Sequence, residues 1–241
     1  MRILITNDDS VSASQLLPLI RWCQKLGDVT TVVPAIEQSG KSHGIEIHKP
    51  FGFRQVQLAP DVTVTAVEST PADCVRFAVF GLKGEFDLVI SGINRGFNIG
   101  ADVMYSGTVA AVIEAALLNL PAIALSTCPE YYDQAVNHLD RVFEFISQNK
   151  LMEKHSIYNI NIPPQPKSIR FTHQGGPYYS DDFELSDDGI CKPVGKCVYE
   201  DTGDLSVDTN AVMSGYISIM PLTVNMTDMD VFRKLLPLNE E

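Results

Sequence analysis

Basic charge is scarce in this sequence. Lys and Arg number 18 against 30 Asp and Glu, a formal net charge of −12. Such a chain lacks the basic stripe that grips nucleic-acid polymers or anionic membranes. A small phosphorylated substrate that arrives with a cation is compatible with it. Paired cysteines are missing as well. The five cysteines (Cys23, Cys74, Cys128, Cys191 and Cys197) are odd in number and scattered, with no C-x-x-C. Neither a disulfide framework nor a zinc site is indicated, and a reducing cytoplasm is the expected compartment. Long apolar runs are absent too. The longest helical one, residues 109–118, carries Glu114 and is too short to span a bilayer. The N-terminal apolar run breaks at Asn7-Asp8-Asp9, so no secretory leader is expected. The five histidines show no ligand spacing, and no Ser-His-Asp arrangement can be argued from them.

What is present is enough for a large core: 241 residues, 45% of them hydrophobic. Met1-Arg2-Ile3-Leu4-Ile5 reads as a short buried strand. Ser12 is expected to cap a helix to about Lys25, and a second strand follows at 29–33. Alternation predicts strands within 45–67, including Ile45-Glu46-Ile47-His48. Thr70 with Pro71 predicts a capped helix through Phe80. Further strands are expected at 87–91 and 122–126, with helices from Thr108 to Leu118 and over 131–148. Strand–helix–strand repetition points to an α/β, Rossmann-like three-layer sandwich with a mostly parallel sheet. The pattern breaks at Pro163-Pro164. Residues 1–163 are expected to form the catalytic core. Residues 164–241 are expected to supply a surface excursion, an arm, a strand near 216–220 and a last helix capped by Thr227 and Asp230.

Three stretches carry chemistry. Thr6-Asn7-Asp8-Asp9-Ser10 places adjacent carboxylates at a strand's carboxyl end, where open α/β sheets bind ligands. Adjacent like charges repel unless a cation separates them. The bland alternative is that Asp9 caps the next helix while Asp8 faces solvent. Next, residues 35–42 satisfy a permissive P-loop pattern, but Gly44 and strand-like alternation follow Lys41 where a P-loop needs a helix. ATP binding there is rejected, and a small-residue loop bearing Ser39 and Ser42 remains. Third, Ser91-Gly92-Ile93-Asn94-Arg95-Gly96-Phe97-Asn98-Ile99-Gly100 follows a buried strand. It leads toward Tyr105-Ser106-Gly107-Thr108, where Ser106 or Thr108 caps a helix whose N-terminus suits an anion. Asp8, Asp9, Ser39 and Asn94 offer only oxygen donors. That favours one hard divalent ion, Mg²⁺ or Mn²⁺, over zinc.

These segments together resemble the SurE-type survival-protein nucleotidases. So do Gln38-Ser39-Gly40 with Ser42-His43, Thr70-Pro71-Ala72-Asp73-Cys74-Val75, Pro121-Ala122-Ile123-Ala124 and Gly215-Tyr216-Ile217-Ser218 with Pro221-Leu222. The resemblance runs through nearly the whole chain in order. It implies a metal-dependent 5′-nucleotidase, with 3′-monophosphates and short polyphosphate left open. It implies metal ligands at Asp8, Asp9, Ser39 and Asn94, with Asp8 or Asp9 also moving the proton. Phosphate contacts are implied at Asn98 and Ser106, and Gly107 and Thr108 are expected to join them at the helix N-terminus. Dimers or tetramers built through the C-terminal segments are a further implication. The chain departs from the family at Ser10, where glycine is usual, and at Ala13-Ser14-Gln15, where an Ala-Pro-Gly turn is usual.

The rival readings are a receiver-like signalling domain, a D-x-D phosphatase and a passive nucleotide-binding module. The first lacks its acceptor aspartate, since Ser91-Gly92 stands in that place. The second needs aspartates two positions apart, whereas Asp8 and Asp9 are adjacent. A turnover assay separates the third.

Overall fold

The computed structural model describes residues 1–239. In chain order the strands are β1 Arg2–Thr6, β2 Asp28–Pro34, β3 Phe53–Ala59, β4 Val62–Val67, β5 Leu88–Arg95, β6 Ala122–Thr127, β7 Ile157–Ile162, β8 Ile169–Phe171, β9 Tyr179–Leu185, β10 Cys191–Cys197 and β11 Ile217–Pro221. The α-helices are α1 Leu16–Cys23, α2 Pro71–Arg76, α3 Gly107–Leu117, α4 Leu139–Gln148, α5 Leu151–Lys154, α6 Asp208–Met213 and α7 Met229–Leu235. Nine strands form one sheet in the order β3-β4-β2-β1-β5-β6-β7-β11-β8, and β9 with β10 forms a separate hairpin.

Pairing is parallel from β4 through β2, β1, β5 and β6 to β7. Antiparallel pairs flank that run, β3 against β4 and β11 against β7. The chain leaves β1 toward β2 and β4, then returns to place β5 on the other side of β1. The order therefore reverses between β1 and β5, and in open α/β sheets the ligand crevice lies at such a switch point.

β1 is buried on both faces. Ile3 and Ile5 join a core layer with Leu16, Leu19 and Ile20 of α1 and Leu139 and Val142 of α4. Leu4, pointing the other way, packs with Cys74 and Val75 of α2 and Val109 and Val112 of α3. Side-chain alternation along a strand thus builds the three-layer α/β sandwich. Each fully buried aliphatic side chain contributes about 1.5–3 kcal/mol relative to exposure. α2 starts as its sequence predicts, with the Thr70 side chain accepting from the Asp73 amide and Pro71 in the first turn.

Several elements differ from expectation. Residues 45–48 form no strand. Among the described residues no strand pairs with them; the Glu46 amide donates to the Asp73 carboxylate, and the Glu46 carboxylate accepts the His48 and Lys49 amides in a turn. α1 begins at Leu16 rather than after Ser12, because Ser10 adopts a left-handed φ of 76° and residues 11–15 turn. The helix expected over 131–148 divides into a 3₁₀ segment, Pro129–His138, and α4. α2 passes into a π-helical turn, Phe77–Gly81. α7 is capped by Asp228, which accepts the Asp230 and Val231 amides, so Thr227 is not the cap. Within the expected surface excursion, residues 174–210 contain the β9–β10 hairpin and the start of α6, whose residues 208–212 are buried. β8 and β11 extend the main sheet from beyond the Pro163-Pro164 break.

Candidate active site

Asp8 leaves the carboxyl end of β1 and is only 3% exposed. It meets the N-terminus of α3. The Thr108 amide donates to Asp8 Oδ2 at 3.2 Å, and the Thr108 hydroxyl donates to Oδ1. α3 can start this close because residue 107 is glycine: a Cβ there would lie 3.0 Å from the Asp8 Cβ. Ser106 caps the same helix by accepting from the Val109 amide at 3.1 Å. Two first-turn amides, those of Thr108 and Val109, are therefore already paired within the protein. Gly107 and Thr108, the other expected phosphate contacts, both pack against Asp8.

Asp9 faces the other way. Its Oδ2 accepts the Arg95 amide at 2.9 Å and the Tyr132 hydroxyl at 3.4 Å. Ser39 arrives on the loop after β2. That loop is tied to β1 by the Gln38 amide donating to the Asp8 carbonyl at 2.8 Å. Ser42 joins it to the far side of the site, its amide donating to the Tyr105 carbonyl and its hydroxyl to the Met104 carbonyl. Asn94, near the end of β5, commits its amide nitrogen to the Gly96 carbonyl at 2.8 Å. Its Oδ1 accepts no hydrogen bond among the described residues and has lone pairs to offer a cation.

Asp8, Ser39, Asn94, Asn98 and Ser106 line one cavity of about 200 Å³. Asp9 lines a larger neighbouring cavity of about 610 Å³, and Ser39 and Arg95 border both. Arg95 is the only basic side chain in either lining. It stands inside a stretch that drew notice in the sequence, yet its charge was given no role there. Asn98 is buried and anchored from β6 and β7. Its amide donates to Asn161 Oδ1, its side chain donates to the Ser126 hydroxyl, and its carbonyl accepts from Asn159 and Asn161. Those two asparagines lay unread in the sequence. Two amides alternating with isoleucine in a buried strand, Tyr158-Asn159-Ile160-Asn161-Ile162, were the available signal.

The electrostatics are unbalanced. Burial pushes the Asp8 carboxyl up, and the Thr108 hydrogen bonds offset only part of that. Burial also pushes Asp9 up to about 6, and the neighbouring Asp8 charge adds to it against the Arg95 amide. Neither aspartate forms an ion pair among the described residues. Also among the described residues, no three His, Cys, Asp or Glu side chains gather as a metal group. A cation here would take the two carboxylates plus the neutral oxygens of Ser39 and Asn94. An all-oxygen set with uncompensated negative charge fits a hard divalent ion.

Comparison with known proteins adds relatives to this geometry. A family model described as "Survival protein SurE" matches residues 3–181. A protein named 5′-nucleotidase SurE from Thermosipho melanesiensis is 37% identical over 251 residues, covering 98% of this chain and 96% of its own. Its namesake from Natranaerobius thermophilus is 35% identical over 256 residues, covering 98% and 97%. Among solved structures, the SurE protein from Aquifex aeolicus aligns over all of both chains with a TM-score of 0.81 and 27% identity.

Proposed function

The chain belongs to the SurE survival-protein family, and from that premise we propose that it is a metal-dependent 5′-nucleotidase. It would remove phosphate from nucleoside monophosphates. The observation that carries this reading is the convergence of Asp8, Ser39, Asn94, Asn98 and Ser106 on one small cavity at the switch point of the sheet. A bare phosphate-binding module has no need of a buried carboxylate in that cavity with a second one, Asp9, lining the cavity beside it.

In this reading Asp8, Asp9, Ser39 and Asn94 hold one divalent ion, Mg²⁺ or Mn²⁺. When bound, such an ion polarises the phosphoryl group and makes water more acidic. Asp8, fixed by Thr108, positions the site. Asp9, whose Oδ1 makes no hydrogen bond among the described residues, is the member of the pair that accepts a proton at Oδ1. Ser106 and Asn98, with Gly107 at the positive end of α3, receive the phosphate oxygens. Arg95, shared by the two cavities, neutralises charge where they meet. The nucleoside then extends into the larger cavity, whose volume lies in the range of small-molecule sites.

We extend the proposal to 3′-monophosphates and short polyphosphate as secondary substrates and to a cytoplasmic location. Among the described residues no helix is long and apolar enough to cross a membrane. Residues 1–163 are assigned the chemistry and residues 164–241 the contacts of a homodimer or homotetramer. Supporting the second assignment, Tyr179, Phe183, Leu185 and Ile190 leave the hairpin more than half exposed, at 54%, 59%, 79% and 61%. The deciding experiment is phosphate release from a panel of nucleotides with Mg²⁺, with Mn²⁺ and with chelator. Release that requires metal and prefers 5′-monophosphates is expected. No release from any nucleotide, or full release in excess chelator, contradicts the reading.

A further inference from the structure

Asp208 belongs to none of the groups used so far. It opens α6 and is wholly buried, with 0% exposure. No basic side chain pairs with it among the described residues. Burying a carboxylate is costly unless its lone pairs are filled. Here backbone amides fill them. Oδ1 accepts from Gly175 at 2.8 Å and from Thr209 at 2.7 Å, while Oδ2 accepts from Gly100 at 2.8 Å.

The Gly100 bond reaches the candidate active site. Gly100 holds a left-handed φ of 59°, and a Cβ there would lie 2.2 Å from the Gly176 carbonyl oxygen. The Ala101 amide donates to that carbonyl at 3.0 Å, and the Gln174 side chain donates to the Gly100 carbonyl at 3.1 Å. Residues 100–101 are thus clamped onto 174–176, with Asp208 in the middle. Gly100 also starts the 3₁₀ turn Gly100–Tyr105 that runs into Ser106. Two residues earlier stands Asn98, anchored by Asn159 and Asn161. The β7 asparagines thus hold the first residue of the segment 98–106, and Asp208 holds Gly100 two residues on, where the turn leading to Ser106 begins. Both Asn98 and Ser106 line the small cavity.

We propose that Asp208 is a positioning residue for the substrate's phosphate: by holding Gly100 it sets the spacing at which Asn98 and Ser106 meet the phosphate oxygens. The inference rests on the phosphatase reading above. It separates two functions of one site, because Asp208 makes no hydrogen bond to Asp8, Asp9, Ser39 or Asn94. Loosening it weakens phosphate binding and leaves metal binding alone.

Asp208→Asn is the selective test. Its oxygen can still serve Gly175 and Thr209, but its amide nitrogen then faces the Gly100 N–H, donor against donor. Full-length wild-type and variant protein are compared in three ways: Mn²⁺ affinity, calorimetric binding of inorganic phosphate to the Mn²⁺-loaded protein, and KM and kcat for a nucleoside 5′-monophosphate. We expect phosphate Kd and KM to rise on the order of tenfold, as misplacement of a binding group does. Mn²⁺ affinity stays unchanged, and amide exchange at Gly100 quickens. Unchanged phosphate affinity, or Mn²⁺ affinity lost in the same proportion, overturns the proposal. Should the asparagine variant fail to fold, Gln174→Ala cuts a more exposed bond of the same clamp. It should shift phosphate affinity in the same direction by less, and no shift there also overturns the proposal. A wild-type protein without turnover on any nucleotide sinks the functional reading instead, while the phosphate titrations still decide the role of Asp208.

Discussion

Thr108 donates to Asp8 twice, through its backbone amide and through its hydroxyl, across 100 residues of sequence. A helix N-terminus and its first side chain are thereby spent on holding a carboxylate in place. Thr108→Val keeps the shape and the amide but removes the hydroxyl. A hydrogen bond to a charged group contributes about 1.5–3 kcal/mol, so the variant should lose stability of that order. Its apparent affinity for Mn²⁺ should fall as Asp8 gains freedom. Metal titration beside thermal melting measures both, and an unchanged Mn²⁺ affinity would show that Asp8 needs no such support.

Asp8→Asn should abolish turnover without unfolding the chain. The amide retains one acceptor for Thr108 but loses the charge that attracts a divalent ion. Circular dichroism matching the wild type, with phosphate release at background, is the expected pair of results. Full activity in a well-folded variant is incompatible with Asp8 as a ligand.

Asp9 makes a pH prediction for the metal-free protein. Its carboxyl is raised from 3.8 to about 6, chiefly by burial. A raised carboxyl favours the protonated form in the fold. Its contribution to stability is fully present below the unfolded value and is lost as pH rises through about 6. In excess chelator the protein should therefore melt lower at pH 7.5 than at pH 5 on this account. Asp9→Asn should raise the melting temperature at pH 7.5 and change it little at pH 4. Added Mn²⁺ should reverse the ranking, since only the wild type retains the full ligand set. A chelated variant no more stable than wild type at pH 7.5 would contradict it.

Ser10 sits buried at φ 76°, a conformation that costs an L-residue roughly 1–2 kcal/mol. Its hydroxyl partly compensates by accepting from the Ser12 amide at 3.3 Å and pairing with the Ser12 hydroxyl. Comparing Ser10→Gly with Ser10→Ala removes that hydroxyl from both variants and isolates the backbone. The glycine variant should be the more stable by about 1 kcal/mol. Equal midpoints in urea would show that the turn tolerates the strain through movement elsewhere.

The hairpin prediction concerns assembly. Light scattering at micromolar concentration should find a dimer or larger species. Deleting residues 178–200 should reduce it to a monomer that still binds Mn²⁺, because Asp8 and Asp9 follow β1 in the main sheet. A monomeric wild type ends this proposal.

The sequence alone settled what is local. Thr70 and Pro71 start α2, and the cap of α3 is narrowed to Ser106 or Thr108, of which the fold uses Ser106, because a cap spans only three or four residues and needs no distant partner. The acidic pair after β1 was equally visible, since its position depends on one short apolar run. Alternation at 45–48 misled for the complementary reason: a strand exists only when a neighbour completes its hydrogen bonds, and no periodicity reports the neighbour. Only the tertiary structure brought β5 beside β1, and so Asn94 toward Asp8, because strand order is fixed by packing of helices on both faces. The same holds for Asp208. Read in sequence, it is one acid among many in a polar stretch. In the fold it is buried with three amides pointed at it, and burial is a property of the whole chain that no local pattern carries.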